Sequence, residues 1–304
     1  MALSAELAKR RRQAAFSRAA SFGYRHRSLF AFGELSPALA CFLFIYIAAL
    51  VVLFVSGFWS VNQFTGNLEH VWTLSNFQTI WQSPAYRTIA LRTIGMAAAV
   101  TLADAVIAFP FAYYMARVAS RRTRSALFVL VMLPLWSSYL LRVYAWRLIL
   151  DHDGLLNWSL EHLGLPAANI AYSNIAVWVV FTYIWLPFMI VPVFAALERI
   201  PHSTIEASLD LGARGPRTFW SVILPLALPG VVAGSIFTFA LTLGDYVTPL
   251  LVGGTNSEFI GNVVYESVGV ASNIPFAAAY ATIPVFVMAV YLVIAKRLGA
   301  FEAL

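Results

Sequence analysis

Apolar and polar residues alternate along this chain in long blocks. Mainly apolar runs fall at 37–57, 93–115, 126–150, 175–197, 228–252 and 276–295, with shorter polar segments between them. Each run has roughly the 20 residues that a helix needs to cross the hydrocarbon core of a bilayer. None shows the sustained period-two alternation of a membrane β-barrel strand. The pattern predicts an all-α integral membrane protein with six transmembrane helices. Pro110, Pro134, Pro187 with Pro192, Pro249 and Pro284 fall inside five of the runs. They predict kinks, which a bundle tolerates where neighbouring helices or a cavity satisfy the freed carbonyls.

Composition fits the same solvent. The chain is 61% hydrophobic and 11% charged, whereas soluble domains carry about 25% charged residues. Its positive charges are distributed unevenly. The N-terminal tail holds Lys9, Arg10, Arg11, Arg12, Arg18, Arg25 and Arg27. The segment after the second run holds Arg117, Arg121, Arg122 and Arg124, and that after the fourth holds Arg199, Arg214 and Arg217. Lys296 and Arg297 close the sixth run. The remaining loops are nearly free of Lys and Arg, Arg87 being the main exception. The positive-inside rule places both termini and the 199–226 segment in the cytoplasm. The expected organisation is a basic cytoplasmic tail (1–36), a transmembrane domain (37–298) and a short cytoplasmic C-terminus (299–304). The tail reads as an orientation signal that also rests on anionic lipid headgroups.

Several function classes fall away. A lone cysteine, Cys41, excludes an intramolecular disulfide. Lys9 and Lys296 are the only lysines, and neither sits in a Gly-x4-Gly-Lys-Ser/Thr phosphate loop. The chain is therefore expected not to hydrolyse ATP itself and to hold no cofactor. Its histidines lack metal-ligand spacing, no Ser/His/Asp set suggests a membrane hydrolase, and topology accounts for the basic tail without nucleic acid.

One polar segment is unusually structured. Residues 206–225 read EASLDLGARGPRTFWSVILP. Ser203-Thr204-Ile205-Glu206 has capping-box spacing, which predicts a helix starting near Ser203. Gly212 is placed to stop it, as a residue that tolerates positive φ. Ile205 and Leu209 fall on one face, and Ala207 and Ser208 are small enough for another protein to approach the backbone. Gly215-Pro216 turns the chain toward a second helix, and Pro225 and Pro229 mark re-entry into the membrane. Such a segment either docks another protein or folds back on its own bundle.

The segment resembles the cytoplasmic loop of bacterial ABC-importer permeases, in which Glu-Ala-Ala is followed by Gly and then by Ile-x-Leu-Pro at fixed spacing. Glu206, Ala207 and Ser208 occupy the Glu-Ala-Ala positions, Gly212 the Gly position, Val222 the Ile position, and Leu224-Pro225 close the motif. Ser208 and Val222 depart mildly and keep size. The resemblance runs from the first span to the sixth and implies a type I ABC importer permease fold. It implies that Glu206, Ala207, Ser208, Leu209, Gly212 and Ala213 form a coupling helix and its stop, set in a groove on an ATPase subunit that carries the ATP and magnesium. It further implies an ATPase dimer, a second, paralogous permease, an extracytoplasmic solute-binding protein, and residence in a bacterial inner membrane. Leu133-Pro134-Leu135-Trp136, Leu141-Arg142-Val143-Tyr144-Ala145-Trp146 and Gly244-Asp245-Tyr246-Val247-Thr248-Pro249 are most similar to the spermidine/putrescine branch. They imply a polyamine or related small organic solute.

Ionisable residues within spans are costly and are functional candidates. Asp104 lies in the second run, Arg142 and Arg147 in the third, and Asp245 in the fifth. Asp245 either lines a substrate path or pairs with Arg142. Asp104 is either structural or part of that path. Tyr246, Trp136, Tyr139 and Trp146 could add cation–π attraction for an ammonium solute. A different class of function, an ion-coupled carrier or channel working without an ATPase, would use Asp104 and Asp245 as coupling sites.

Overall fold

The computed structural model describes residues 27–62 and 65–298. The tail charges Lys9 to Arg25 and the segment 299–304 lie outside the described residues. Helix α1 (Arg27–Ser56) belongs, as far as Val55, to a unit of its own. Its segment Leu35–Ser56 is long and apolar enough to cross a membrane.

The second unit opens with a short antiparallel hairpin, β1 (Ser60–Val61) and β2 (Leu68–Glu69), pairing Ser60 with Glu69 and Val61 with Leu68. Helices α2 (Ser75–Gln82) and α3 (Pro84–Tyr113) follow, and α3 continues into a π-helical turn, Tyr114–Val118. Next come α4 (Arg121–Met132), a 3-10 turn (Leu133–Trp136), α5 (Tyr139–Leu150), α6 (Leu155–His162) and α7 (Asn174–Arg199). After α7 the chain forms α8 (His202–Asp210), α9 (Gly215–Thr218), a second π-helical turn (Phe219–Ile223) and α10 (Leu224–Gly244). It closes with α11 (Val247–Val252), α12 (Ile260–Gly269) and α13 (Ile274–Arg297).

Helices α3, α7 and α10 pack on one another and form the centre. On α3 the buried residues Ile89, Thr93, Ala97, Val100, Asp104, Ala108 and Ala112 recur every three or four positions, so one face is turned inward. Helix α7 is apolar all round and buried on several sides, as a central helix must be. Helix α10 approaches it closely because of two glycines. A Cβ on Gly230 would lie 2.4 Å from Ala196 Cβ and 2.7 Å from the Pro192 carbonyl oxygen, and one on Gly234 would lie 2.7 Å from Met189 Sδ. Small residues four apart are a recurrent way to bring membrane helices together, because dispersion between backbones replaces the missing hydrophobic drive.

Among the described residues five helices are long and apolar enough to span a bilayer, and a bent pair supplies a sixth. That pair is the third run, 126–150, where the kink expected at Pro134 is a sharp break. Arg121–Trp136 and Tyr139–His162 meet at 96°, because Pro134 tightens the chain into a 3-10 turn and Ser137 and Ser138 are extended (ψ 154° and 132°). The fifth expected span, 228–252, is also broken. Helix α10 stops at Gly244, Asp245 is extended (ψ 130°), and α11 begins at Val247.

The end of α3, the end of α7 and the start of α10 converge on one apolar cluster that includes Met115, Leu197, Ile200 and Ile223. The connections around it carry Arg117, Arg121, Arg122, Arg124, Arg199, Arg214 and Arg217. Ala295, beside Lys296 and Arg297 on α13, packs with Val232 of α10. Most of the described positive charge thus gathers at one end of the bundle, called the basic end below.

Candidate functional site: a short helix at the basic end and an aromatic cleft

Helix α8 occupies the connection between α7 and α10. It begins one residue earlier than its sequence suggests. Pro201 (φ −64°, ψ 143°) is the N-cap residue, and no side chain caps the helix. The capping box expected between Ser203 and Glu206 is therefore not formed. Ser203 is already inside the first turn, where its hydroxyl no longer faces the free N–H groups. The expected stop at Gly212 is present. Gly212 adopts φ +82°, its N–H donates to the Leu209 carbonyl at 2.8 Å, and the Ala213 N–H donates to the Ser208 carbonyl at 3.1 Å. This is a Schellman motif, in which a left-handed residue after the helix lets two following N–H groups satisfy its last carbonyls.

The side chains of α8 divide between two directions. Ile205 packs on the apolar cluster of the basic end. Ser208 is half-buried, with its hydroxyl 3.1 Å from that of Thr218 on α9. Glu206, Ala207 and Leu209 are exposed, as is Gly212, while Ala213 is partly covered. Leu211 is 89% exposed and Trp220, on the second π-helical turn, 67%. The loop thus presents large apolar side chains to its surroundings beside a rigidly terminated helix. Trp220 was missed at the level of sequence; the signal was a second aromatic beside Phe219, directly after the polar stretch 214–218.

The second feature is a cleft of about 360 Å³ at the far end of α10. Tyr139, Trp185, Gly244, Asp245 and Tyr246 contribute to its lining. The Asp245 carboxylate is fully engaged. Oδ1 accepts from the N–H groups of Val247 (2.8 Å) and Thr248 (3.3 Å), and Oδ2 accepts from the Thr248 hydroxyl (3.0 Å) and from the Tyr139 hydroxyl. Asp245 therefore holds the start of α11, where free N–H groups favour an anion, and Tyr139 joins α5 to that corner. Among the described residues Asp245 makes no ion pair with Arg142; the pairing considered from the sequence is replaced by this cap. The Tyr139 ring stacks on Trp185 (5.9 Å between centroids, 14° between planes), and Tyr246 stacks on Tyr265 (4.8 Å, 14°). Trp185 was not singled out from sequence, where it is one aromatic in an apolar run.

The other candidates lie elsewhere. Trp136 is 93% exposed on the 3-10 turn and does not line the cleft. Trp146 packs on Tyr183. Asp104 is fully buried on the face of α3 that meets α7 and α10, and neither carboxylate oxygen has a hydrogen-bond partner among the described residues. The structure thus brings Asp245, Tyr246 and Tyr139 together and separates Trp136 and Asp104 from them. Among the described residues no cluster of His, Cys, Asp and Glu is placed to hold a metal.

This architecture has close counterparts. Residues 108–301 match the family of binding-protein-dependent transport system inner membrane components. The chain belongs to this family. The permease is 48% identical over 273 residues to the inner membrane ABC transporter permease protein YdcU of Escherichia coli (strain K12), covering 86% of this chain and 87% of that protein. It is 30% identical over 257 residues to the spermidine/putrescine transport system permease protein PotB of the same strain, covering 84% and 92%. Its fold matches a chain of the crystal structure of a bacterial ABC transporter that imports the acidic polysaccharide alginate. There the TM-score is 0.70 at 18% identity, over 90% of this permease and 95% of that chain. It is thus a multi-pass inner membrane subunit of an ABC importer with the type I permease fold. Membership replaces the alternative of an ion-coupled carrier acting alone.

Proposed function

We propose that this permease forms part of the translocation path for a polyamine or a related small organic cation, driven by ATP hydrolysis on a separate ATPase subunit. The observation that carries the coupling is α8, a helix stopped by Gly212 that turns Glu206, Ala207 and Leu209 outward from a basic, apolar-floored corner. A short helix fixed at both ends moves as a rigid body, which is what a lever between two subunits needs. In this reading the basic end and both termini face the cytoplasm, α8 sits in a groove on one member of an ATPase dimer, and ATP and magnesium bind there. A second, paralogous permease completes the path, and an extracytoplasmic binding protein delivers solute to the opposite end. The permease itself carries no cofactor.

The cleft supports the solute class. Aromatic faces attract an ammonium group by roughly 0.5–2 kcal/mol each, most where water is excluded. Tyr139, Trp185 and Tyr246 supply such faces beside an anionic carboxylate. Since both Asp245 oxygens are already engaged, the rings would make the direct contact and the carboxylate would set the local potential. The relative PotB is named for spermidine and putrescine, which agrees with this chemistry.

The test is purification of the tagged chain in mild detergent, with copurifying subunits identified by mass spectrometry, followed by reconstitution with the binding protein and radiolabelled putrescine. Recovery of an ATPase and ATP-dependent putrescine uptake is the expected result. An assembled, ATP-hydrolysing complex that ignores putrescine and spermidine would remove the polyamine assignment and leave the importer assignment standing.

A further inference from the structure

Two arginines cross-brace the corners beside α8. From the first π-helical turn, Arg117 Nη2 donates to the carbonyls of Leu197 and Ile200, the latter at 2.7 Å. Ile200 immediately precedes Pro201, where α8 begins. From the first turn of α4, Arg124 donates through Nε to the Met115 carbonyl (2.9 Å) and through Nη2 to the Ala116 carbonyl (3.0 Å). Its Nη1 pairs with Glu198 Oε1 at 3.1 Å. One arginine thus reaches from the α3 corner to the α7 corner, and the other grips both corners at once.

The chemistry of helix ends explains why these bonds form. The last carbonyls of a helix lack partners within it, and the planar guanidinium fork can satisfy two of them from one side chain. Beneath the bonds lie Met115, Leu197 and Ile200, all buried, so the brace rests on a packed floor.

The other side of α8 leads to the same helix. Ser208 meets Thr218 at 3.1 Å. The adjoining Phe219 ring stands edge-on to Phe109 (5.6 Å) and Tyr113 (6.3 Å) of α3. Both routes out of α8 therefore end on the last turns of α3, and each passes through a π-helical turn. Such turns are rare and frequently mark functional sites.

We infer that Arg117 is the positioning residue that carries displacement of α8 into α3, with Arg124 and Glu198 holding the same corner to it. Without Arg117, α8 would still move with the ATPase but would slip relative to the bundle. This rests on the importer reading of α8.

The experiment uses the full complex in nanodiscs, with Cys41→Ser and spin labels at Leu91→Cys and Leu148→Cys, exposed positions on α3 and α5 away from the basic end. Unsubstituted at Arg117, the complex should change its label-to-label distance when ATP and vanadate are added. Arg117→Met should still assemble and hydrolyse ATP within about twofold of that rate, yet lose the distance change and move about fivefold less putrescine per ATP. Arg117→Lys, which keeps a charged donor, should recover part of both. Glu198→Gln leaves the carbonyl bonds of Arg124 intact and should lose less. If Arg117→Met does not assemble, the lysine and Glu198→Gln complexes decide. A full distance change with unaltered solute moved per ATP in the variants that assemble overturns the inference. No ATP-driven change even with Arg117 present would overturn the importer reading of α8 and this inference with it.

Discussion

At the basic end, α8 takes its shape from neighbours in sequence: Pro201 begins it, and Gly212 ends it eleven positions later. The aromatic cleft is assembled differently. Tyr139 and Asp245 are 106 positions apart, and Trp185 arrives from a third helix. One region is a local module resting on a packed floor; in the other, hydrogen bonds to Asp245 join α5 to the α10–α11 corner and ring stacking on Tyr139 adds Trp185 of α7. A local module can keep its shape while it moves as a lever. A junction made by distant elements changes whenever those elements move, which suits a path that must open and close.

That contrast predicts different responses to substitution. The largest effect should come from the close contact between α7 and α10. Gly230→Leu would drive a side chain into the Ala196 Cβ and the Pro192 backbone carbonyl, from which a Cβ alone would lie only 2.4 Å and 2.7 Å away. Overpacking of this kind costs about 1–3 kcal/mol and sometimes more, so thermal unfolding in detergent should shift markedly downward and the yield of assembled complex should fall. Next is Gly212→Val. A β-branched residue at φ +82° pays about 1–2 kcal/mol for the left-handed conformation, concentrated at the stop of α8. The chain should insert and fold, while ATP-driven uptake falls about tenfold as the helix end frays. Normal uptake by Gly212→Val would remove the idea that α8 must be rigid.

At the cleft the losses should be smaller and should separate by chemistry. Tyr139→Phe removes the hydroxyl that bonds Asp245 and Thr248, at about 0.5–1.5 kcal/mol for a typical hydrogen bond, while keeping the ring on Trp185. Asp245→Asn keeps an acceptor for the Val247 N–H but loses the charge. If the rings bind the solute and the carboxylate sets the potential, Tyr139→Phe should leave the KM for putrescine uptake nearly unchanged, whereas Asp245→Asn should raise it severalfold with little change in stability. Equal effects of both on thermal stability, with no change in KM, would reduce Asp245 to its role as a cap.

The same contrast explains what the sequence disclosed. Helix-length apolar runs and their charge asymmetry are properties of consecutive residues, so the membrane class and the expected number of spans could be read directly. The stop of α8 was legible because a left-handed turn needs a glycine at one position. The start was misplaced because Ser203 and Glu206 have the right spacing for a box, but Pro201 had already turned the chain. Pro134 and Pro249 announced kinks in the third and fifth runs but not where or how sharply the chain turns, because in a hydropathy profile a bent apolar segment looks like a straight one. Arg117 and Arg124 were visible only as charges that orient the chain. Their carbonyl partners are set by how two helix ends meet, and no residue type announces a carbonyl acceptor. Asp104 stands out in both sequence and structure: a carboxylate inside an apolar run, fully buried, with neither oxygen hydrogen-bonded among the described residues.

Trp136 offers the smallest expected effect and the sharpest check on the boundary of the cleft. It follows Pro134 in the 3-10 turn and shows 93% of its surface, whereas the cleft is lined by Tyr139, Trp185 and Tyr246. A side chain so exposed contributes little to the packing of its own bundle, and surface substitutions usually stay within about 0.5 kcal/mol. Trp136→Ala should therefore leave thermal stability of the isolated chain and the KM for solute unchanged. Tryptophan is also enriched at protein–protein interfaces. If Trp136→Ala lowers recovery of a second permease while the chain itself stays folded, the exposed tryptophan belongs to the seam between two subunits. If instead KM rises as far as in Asp245→Asn, the solute path extends beyond the cleft to the bend at Ser137-Ser138, and the separation between Trp136 and the Asp245 group is lost.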